Sequence, residues 1–286
     1  MNKIKIFIEL TRLDKPIGYM LLFWPCLWGL AIAYNENQNI QKYFIYIIYF
    51  FLGSVLMRST GCIVNDILDK NFDKRIFRTK KRPLASGKIS IINSLVYAIL
   101  LCMISFLILI QFNYLTILLG LLSIPFVFSY PLMKRFTYWP QFFLGITFNF
   151  GLIMAWTAVN NYISLEIIVV YFAAIFWTLG YDTIYGYQDI VDDEIIGLKS
   201  TSIKFKKNPK KFLVCCYLIS IFLLIIFGIL NENNLYYFIF LIFPMMHYLY
   251  QINELNIKDS NKCLKIFRSN NFFGFLLFII FLSISV

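Results

Sequence analysis

The sequence predicts an all-α membrane protein of about nine transmembrane helices. Three observations predict it. Mean hydropathy is +0.72 and 19% of the residues are aromatic, too apolar for a water-soluble domain. The apolar runs are long and numerous enough to cross a bilayer repeatedly. Lys and Arg fall in segments that separate those runs in a regular alternation.

The first helix is expected at 17–34, behind a segment, Met1–Lys15, that carries charge throughout. No small-residue cleavage site follows an apolar core there, so no cleavable signal peptide is expected and the first helix is retained. Further spans are expected at 43–64, 90–110, 114–132, 141–158, 163–182, 211–230, 235–252 and 271–286; the last has only 16 residues. On one side the connections are short, at 35–42, 111–113, 159–162 and 231–234. On the other side two are longer, 66–89 and 183–210, and each follows an acidic cluster. Pro16 and Pro140 suit span ends, whereas Pro25, Pro125, Pro131 and Pro244 are positioned to kink helices and free carbonyls. No linker or low-complexity stretch divides residues 1–286, so a single integral-membrane domain is expected.

Charge orients the bundle. With nine spans, every one of the 26 Lys and Arg except Lys42 and Arg58 falls on the same side. The positive-inside bias makes that side cytoplasmic, and a bacterial cell inner membrane with cytoplasmic active-site loops is expected. The net charge of +11 reflects this topology and not nucleic acid, because no compact basic domain exists to dock on a duplex. The six Cys lie mostly within apolar runs without metal-ligand spacing and are read as packing residues. His247, the only His, is read as a packing residue too. No obligate protein partner is evident.

Two acidic clusters stand out, since the chain has only 15 Asp and Glu. Asp66, Asp69 and Asp73 form the first; Asp182, Asp189, Asp192 and Asp193 form the second. Carboxylates at membrane-span ends are costly unless a cation pairs with them. Arg58, Asn65, Asp69 and Asp73 are spaced by seven, four and four residues, one face of a helix, with Asp66 bordering it. Asp182, Asp189 and Asp193 repeat the seven and four, with Tyr185 four before Asp189. Two stripes of oxygen ligands on the same side suit Mg²⁺, which takes a few carboxylates plus substrate phosphate oxygens. A diphosphate held this way becomes a good leaving group. The plainer alternative is acidic helix ends neutralised by neighbouring Lys and Arg; the repeated spacing weighs against it.

The loop after the first cluster supplies Arg78 and Arg82, expected on the diphosphate, and Lys134, Arg135 and Lys199 suit the same role. Lys80, Lys81, Lys206, Lys207, Lys210 and Lys211 are read as topology signals only. Arg58 lies about two turns inside the membrane, where an Arg is paired or functional. Two roles stay open for it: holding an acceptor's carboxylate, or pairing with an Asp of the stripes. Some of the 31 Phe, 19 Tyr and 5 Trp could shield an allylic cation, but abundance singles out none of them.

These residues resemble the UbiA superfamily of intramembrane prenyltransferases. Asn65, Asp66, Asp69 and Asp73 match its first motif, followed by Arg78-Thr79 and Arg82 to Gly87. Tyr181-Asp182-Thr183, Asp189, Asp192-Asp193 and Gly197 to Thr201 match its second. Within the superfamily the 4-hydroxybenzoate polyprenyltransferase branch is the nearest, by Arg12 to Gly18, Leu22 to Pro25, Met57-Arg58, Gly61-Cys62 and Tyr130 to Arg135. The resemblance covers essentially the whole chain. It implies a central cavity open to the cytoplasmic side and laterally to lipid, and two Mg²⁺ bridging the diphosphate. Asn65, Asp69, Asp73, Asp189 and Asp193 would act at the metals, supported by Asp66 and Asp182. Arg78 would touch the diphosphate, with Arg82, Lys134, Lys199 and Tyr185 also expected on substrate, and Arg58 near the aromatic acceptor. The implied reaction transfers a polyprenyl group from polyprenyl diphosphate to 4-hydroxybenzoate, a step of ubiquinone biosynthesis. The rivals are another acceptor (homogentisate, a naphthoate or haem) and a cation-coupled transporter, which would place its acids near the bilayer midplane.

Overall fold

The computed structural model describes residues 3–37, 39–232 and 235–283. In chain order the helices are α1 (Lys3–Thr11), α2 (Pro16–Asn37), α3 (Ile40–Leu68), α4 (Lys70–Asp73), α5 (Ile91–Leu109), α6 (Tyr114–Phe136) and α7 (Pro140–Asn160). They continue as α8 (Leu165–Gly186), α9 (Ile190–Ile196), α10 (Thr201–Lys204), α11 (Pro209–Leu230), α12 (Leu235–Phe240), α13 (Ile242–Glu254) and α14 (Ser260–Ser283). Among the described residues there is no strand, and nine helical stretches are long and apolar enough to cross a membrane.

Helix starts follow local chemistry. Pro16, Pro140 and Pro209 open their helices, where a missing N–H costs nothing. Asn39, Ser90, Asn113, Ser164 and Ser200 cap α3, α5, α6, α8 and α10 by accepting a backbone N–H three residues on. Pro244 has no N–H to give the preceding turn, and the eighth span divides at Leu241 into α12 and α13.

The ninth span corrects the sequence reading. The helix expected at 271–286 begins at Ser260, and residues 284–286 lie outside the described residues. Hydropathy misses its first turns because Lys262, Lys265 and Arg268 lie there, yet Cys263, Ile266, Phe267 and Asn270 on the other face are buried. The apolar runs likewise underestimate α3 and α8, which continue past the apolar stretch to Leu68 and Gly186.

At the centre, α2 packs against α3, α7 and α14, while α8 packs against α7, α11 and α14. At Gly29 the contact is so close that any Cβ would strike the Leu152 carbonyl of α7, which is why a glycine stands there. Trp28 and Trp177 meet at 5.0 Å between ring centroids, and Trp177 stacks on Phe273 at 5.2 Å. Each buried indole N–H finds an acceptor on α14: Trp28 Nε1 donates to Gly274 O and Trp177 Nε1 to Asn270 Oδ1, both at 2.8 Å. His247 is a packing residue, bonded to Ser269 at 3.0 Å and Gln251 at 3.1 Å. By contrast α5 and α6 are the least buried spans, with α5 resting on α3 and α6 on α7.

Candidate functional site

Both acidic clusters are built the same way. A membrane-crossing helix ends, and a short helix that starts just after an Asp carries the next Asp one turn on. In the first, α3 ends at Asp69, whose N–H still bonds Asn65 O at 2.9 Å, and Asp73 N bonds Asp69 O at 2.8 Å. In the second, α8 ends at Gly186, a tight turn passes through Tyr187 and Gln188, and Asp193 N bonds Asp189 O at 2.9 Å. The first stripe therefore keeps its helical register through Asp69. The second does not: the break at residues 187–189 separates Asp182 from Asp189 and Asp193, a correction to the continuous stripe expected. Gly197 closes α9 with φ of +79°, a left-handed conformation natural to glycine, and Leu198 N then caps Asp193 O at 2.9 Å.

Basic side chains from three segments converge on these carboxylates. Arg78 Nε donates to Asp189 Oδ1 at 2.6 Å and its Nη2 pairs with Oδ2, a two-pronged fork. Its Nη1 donates to Tyr185 OH at 3.2 Å. Arg82 Nη1 reaches both Asp66 Oδ1 at 3.1 Å and Asp73 Oδ2 at 2.9 Å. Arg12 Nη2 donates to Asp66 Oδ1 at 2.5 Å. Lys134 Nζ pairs with Asp69 Oδ2. Arg135 Nη2 donates to Leu68 O at 2.8 Å, neutralising the carbonyl end of α3, and lies 3.6 Å from Asp69 Oδ1. These pairs put the ends of α3, α6 and α8 and the start of α2 on one face of the bundle.

The seven residues expected to bind metal are not gathered around one point. Among the described residues no three carboxylates, Cys or His are close enough to hold an ion by themselves. The physical reason is the interposed cations: each of Asp66, Asp69, Asp73 and Asp189 carries a Lys or Arg partner. Arg78 and Arg82, expected on a diphosphate, are engaged with carboxylates. The donor set nonetheless fits a divalent cation. Asp66 and Asp69 are 1% and 2% exposed, and Asp66 Oδ2 and Asp69 Oδ1 are buried without a hydrogen-bond donor. Burial lifts the Asp193 carboxyl to about 6, with Asp189 adding like charge, and burial also raises Asp73 against the pull of Arg82. An added cation relieves each of these. Mg²⁺ needs only one or two carboxylates beside phosphate oxygens.

The remaining expected residues divide. Asn65 is half-buried near the end of α3, and among the described residues its side chain bonds nothing. Asp182, a turn inside α8, has Arg58 as its charged neighbour but forms no ion pair within 4 Å among the described residues. Lys199 is turned elsewhere: its Nζ donates to Phe136 O at 3.2 Å and lies over the Tyr138 ring, holding the end of α6. Tyr185 sits beneath Arg78 and packs on Phe267 at 4.5 Å.

Arg58, left with two roles by the sequence, has Asp182 as a charged neighbour. No carboxylate pairs with it among the described residues; it lies over the Phe148 ring at 5.4 Å and lines a cavity of about 200 Å³. A Cβ on Gly18 would come within 2.9 Å of its Nε, so the glycine leaves it room. The cavity is lined by residues of α2, α3, α5, α6 and α7, and is apolar apart from a few groups including Arg58, Tyr130 and Thr147. Arg12 is a site residue that charge counting treated only as topology. It sits at φ of +57°, strained for a non-glycine, and the seven-residue string around it was its only signal in sequence.

Among the described residues, nine helical stretches long and apolar enough to cross a membrane, with acidic helix breaks at one end and an apolar cavity, define an integral-membrane protein. Residues 22–280 match the UbiA prenyltransferase family, and the chain belongs to that family. It is 39% identical over 276 residues to the 4-hydroxybenzoate polyprenyltransferase, mitochondrial, of Caenorhabditis elegans, covering 96% of this chain and 77% of that protein. It is 38% identical over 277 residues to the 4-hydroxybenzoate octaprenyltransferase of Psychromonas ingrahamii, covering 97% of this chain and 95% of that one. The fold is also that of a UbiA homologue from Archaeoglobus fulgidus bound to GPP and Mg²⁺: the TM-score is 0.72 at 16% identity, over 97% of this chain and 99% of the other.

Proposed function

We propose that the chain, acting as one membrane domain, transfers a polyprenyl group from polyprenyl diphosphate to the ring carbon ortho to the hydroxyl of 4-hydroxybenzoate, in ubiquinone biosynthesis. One observation carries the acceptor assignment: Arg58 lines an apolar cavity with no carboxylate partner of its own among the described residues. A membrane-embedded Arg in that state suits an acceptor that brings its own carboxylate. The names of the relatives above support the same substrate pair.

Asp69, Asp73, Asp189 and Asp193 would hold Mg²⁺, with Asn65, Asp66 and Asp182 beside them. Bound there, the metal neutralises charge on the departing diphosphate. Arg78, Arg82 and Lys134 add fixed positive charge at the same end, exchanging a carboxylate for phosphate oxygens as the donor enters. Arg58 orients the acceptor by its carboxylate. The apolar walls around Phe148 keep water from the allylic cation and offer it a ring face. The ring carbon supplies the electron pair for the new bond and then loses its proton.

The site faces the cytoplasm of a bacterial inner membrane, in keeping with the Lys and Arg on that face. The transporter reading fares poorly, because Asp69 and Asp189 sit at helix ends and not at mid-span. Competition tests the acceptor: with 4-hydroxybenzoate, homogentisate and a naphthoate present together, 4-hydroxybenzoate should take nearly all the prenyl group. Preference for either of the others would overturn the assignment.

A further inference from the structure

We propose that Phe112 is the floor of the cavity and sets how far a prenyl chain reaches into the bundle, and thereby which donor lengths are favoured. This inference rests on the prenyl-donor reading above. Phe112 belongs to the short connection between α5 and α6, yet its side chain is buried and lines the cavity. Connections normally run over the surface, so an inward aromatic there fills a space that needs filling. Its ring meets Phe50 at 4.9 Å, Tyr46 at 5.1 Å and Tyr49 at 5.8 Å, all on α3. Arg58 marks the opposite end, and Arg58 and Phe50 are separated along α3 by about 12 Å.

The floor is fixed in place. Asn113 Nδ2 donates to Thr157 O at 2.6 Å and Ala158 O at 3.2 Å, while its Oδ1 accepts from Thr116 N at 2.9 Å. The connection is thus tied to the end of α7. Near it α5 and α6 are pinched together, since a Cβ on Gly120 would lie 2.7 Å from Leu109. The side of the cavity is different. Phe106, Ile124 and Phe128 line it and are exposed, which fits an opening toward lipid between α5 and α6. A short chain fits between Arg58 and Phe112. A longer one must turn at Phe112 and leave through that opening, losing part of its contact with the walls.

Steady-state kinetics with geranyl, farnesyl and octaprenyl diphosphates on purified full-length protein test this. The readout is the ratio of kcat/KM for octaprenyl to that for geranyl diphosphate, which a general loss of folded protein does not change. Phe112→Ala should raise the ratio by about 10-fold, and Phe112→Leu by less, the range that a changed apolar wall gives. Ser105→Phe, which narrows the cavity from α5 between Arg58 and the floor, should lower it to a similar extent. A ratio that moves in none of the three overturns the inference and means that the chain leaves between α5 and α6 without meeting Phe112. Wild-type protein that transfers no prenyl group from any donor removes the underlying reading instead, and this inference with it.

Discussion

Arg78 grips Asp189 through two of its guanidinium nitrogens and so ties the loop after the first acidic cluster to the start of α9 in the second. This fork is the most direct link between the two clusters, and it uses a geometry that Lys cannot reproduce. Arg78→Lys keeps the charge and loses the fork. We expect kcat/KM for the prenyl donor to fall by about 10-fold with the acceptor KM unchanged, read by steady-state kinetics with each substrate varied in turn.

Among the described residues Arg58 forms no ion pair with that network. Arg58→Ala should raise the KM for 4-hydroxybenzoate by about 10-fold to 100-fold, the worth of a hydrogen bond to a charged group, and leave the KM for the prenyl donor near its wild-type value. An equal rise in both constants would show that Arg58 does not act on the acceptor.

Arg82 bridges Asp66 and Asp73, both nearly inaccessible to solvent. Removing it leaves Asp73 without its cation and Asp66 with Arg12 alone. Arg82→Ala should therefore destabilise the fold by about 3 kcal/mol, seen as a lower thermal midpoint in detergent, and Arg82→Lys should recover part of it. An unchanged midpoint for Arg82→Ala would contradict the pairing.

Metal removal gives a further prediction. Chelation with EDTA should abolish turnover, and Mg²⁺ should restore it. Asp69→Asn and Asp189→Asn should each reduce kcat by about 100-fold to 1,000-fold at any Mg²⁺ concentration, the scale expected when charge stabilisation at a leaving group is lost. Full activity in EDTA would contradict a metal-assisted departure of diphosphate.

Much of this architecture was legible in the sequence because bilayers impose simple rules. Apolar length marks the spans, and the side on which Lys and Arg collect aligns the ends of α3, α6 and α8. Spacing alone identified Asp69 with Asp73 and Asp189 with Asp193, since i and i+4 remain neighbours even in the short helices α4 and α9. Long-range pairing was not legible. Nothing in the sequence states that Arg12 meets Asp66, that Lys199 holds the end of α6, or that the helical stripe from Asp182 breaks before Asp189. These depend on how segments far apart in the chain meet, and on turns such as Tyr187–Asp189 that hydropathy does not see. The early start of α14 was hidden for a related reason: three basic residues on one face masked a buried face on the other.

In the proposed reaction the acidic helix breaks serve prenyl transfer to 4-hydroxybenzoate. Its most direct test is product analysis by mass spectrometry and NMR after purified protein meets Mg²⁺, polyprenyl diphosphate and 4-hydroxybenzoate. The expected product carries one carbon-linked prenyl group ortho to the hydroxyl, formed by the wild type and lost in Asp69→Ala. No prenylated product from the wild type, or the same yield from Asp69→Ala, would contradict it.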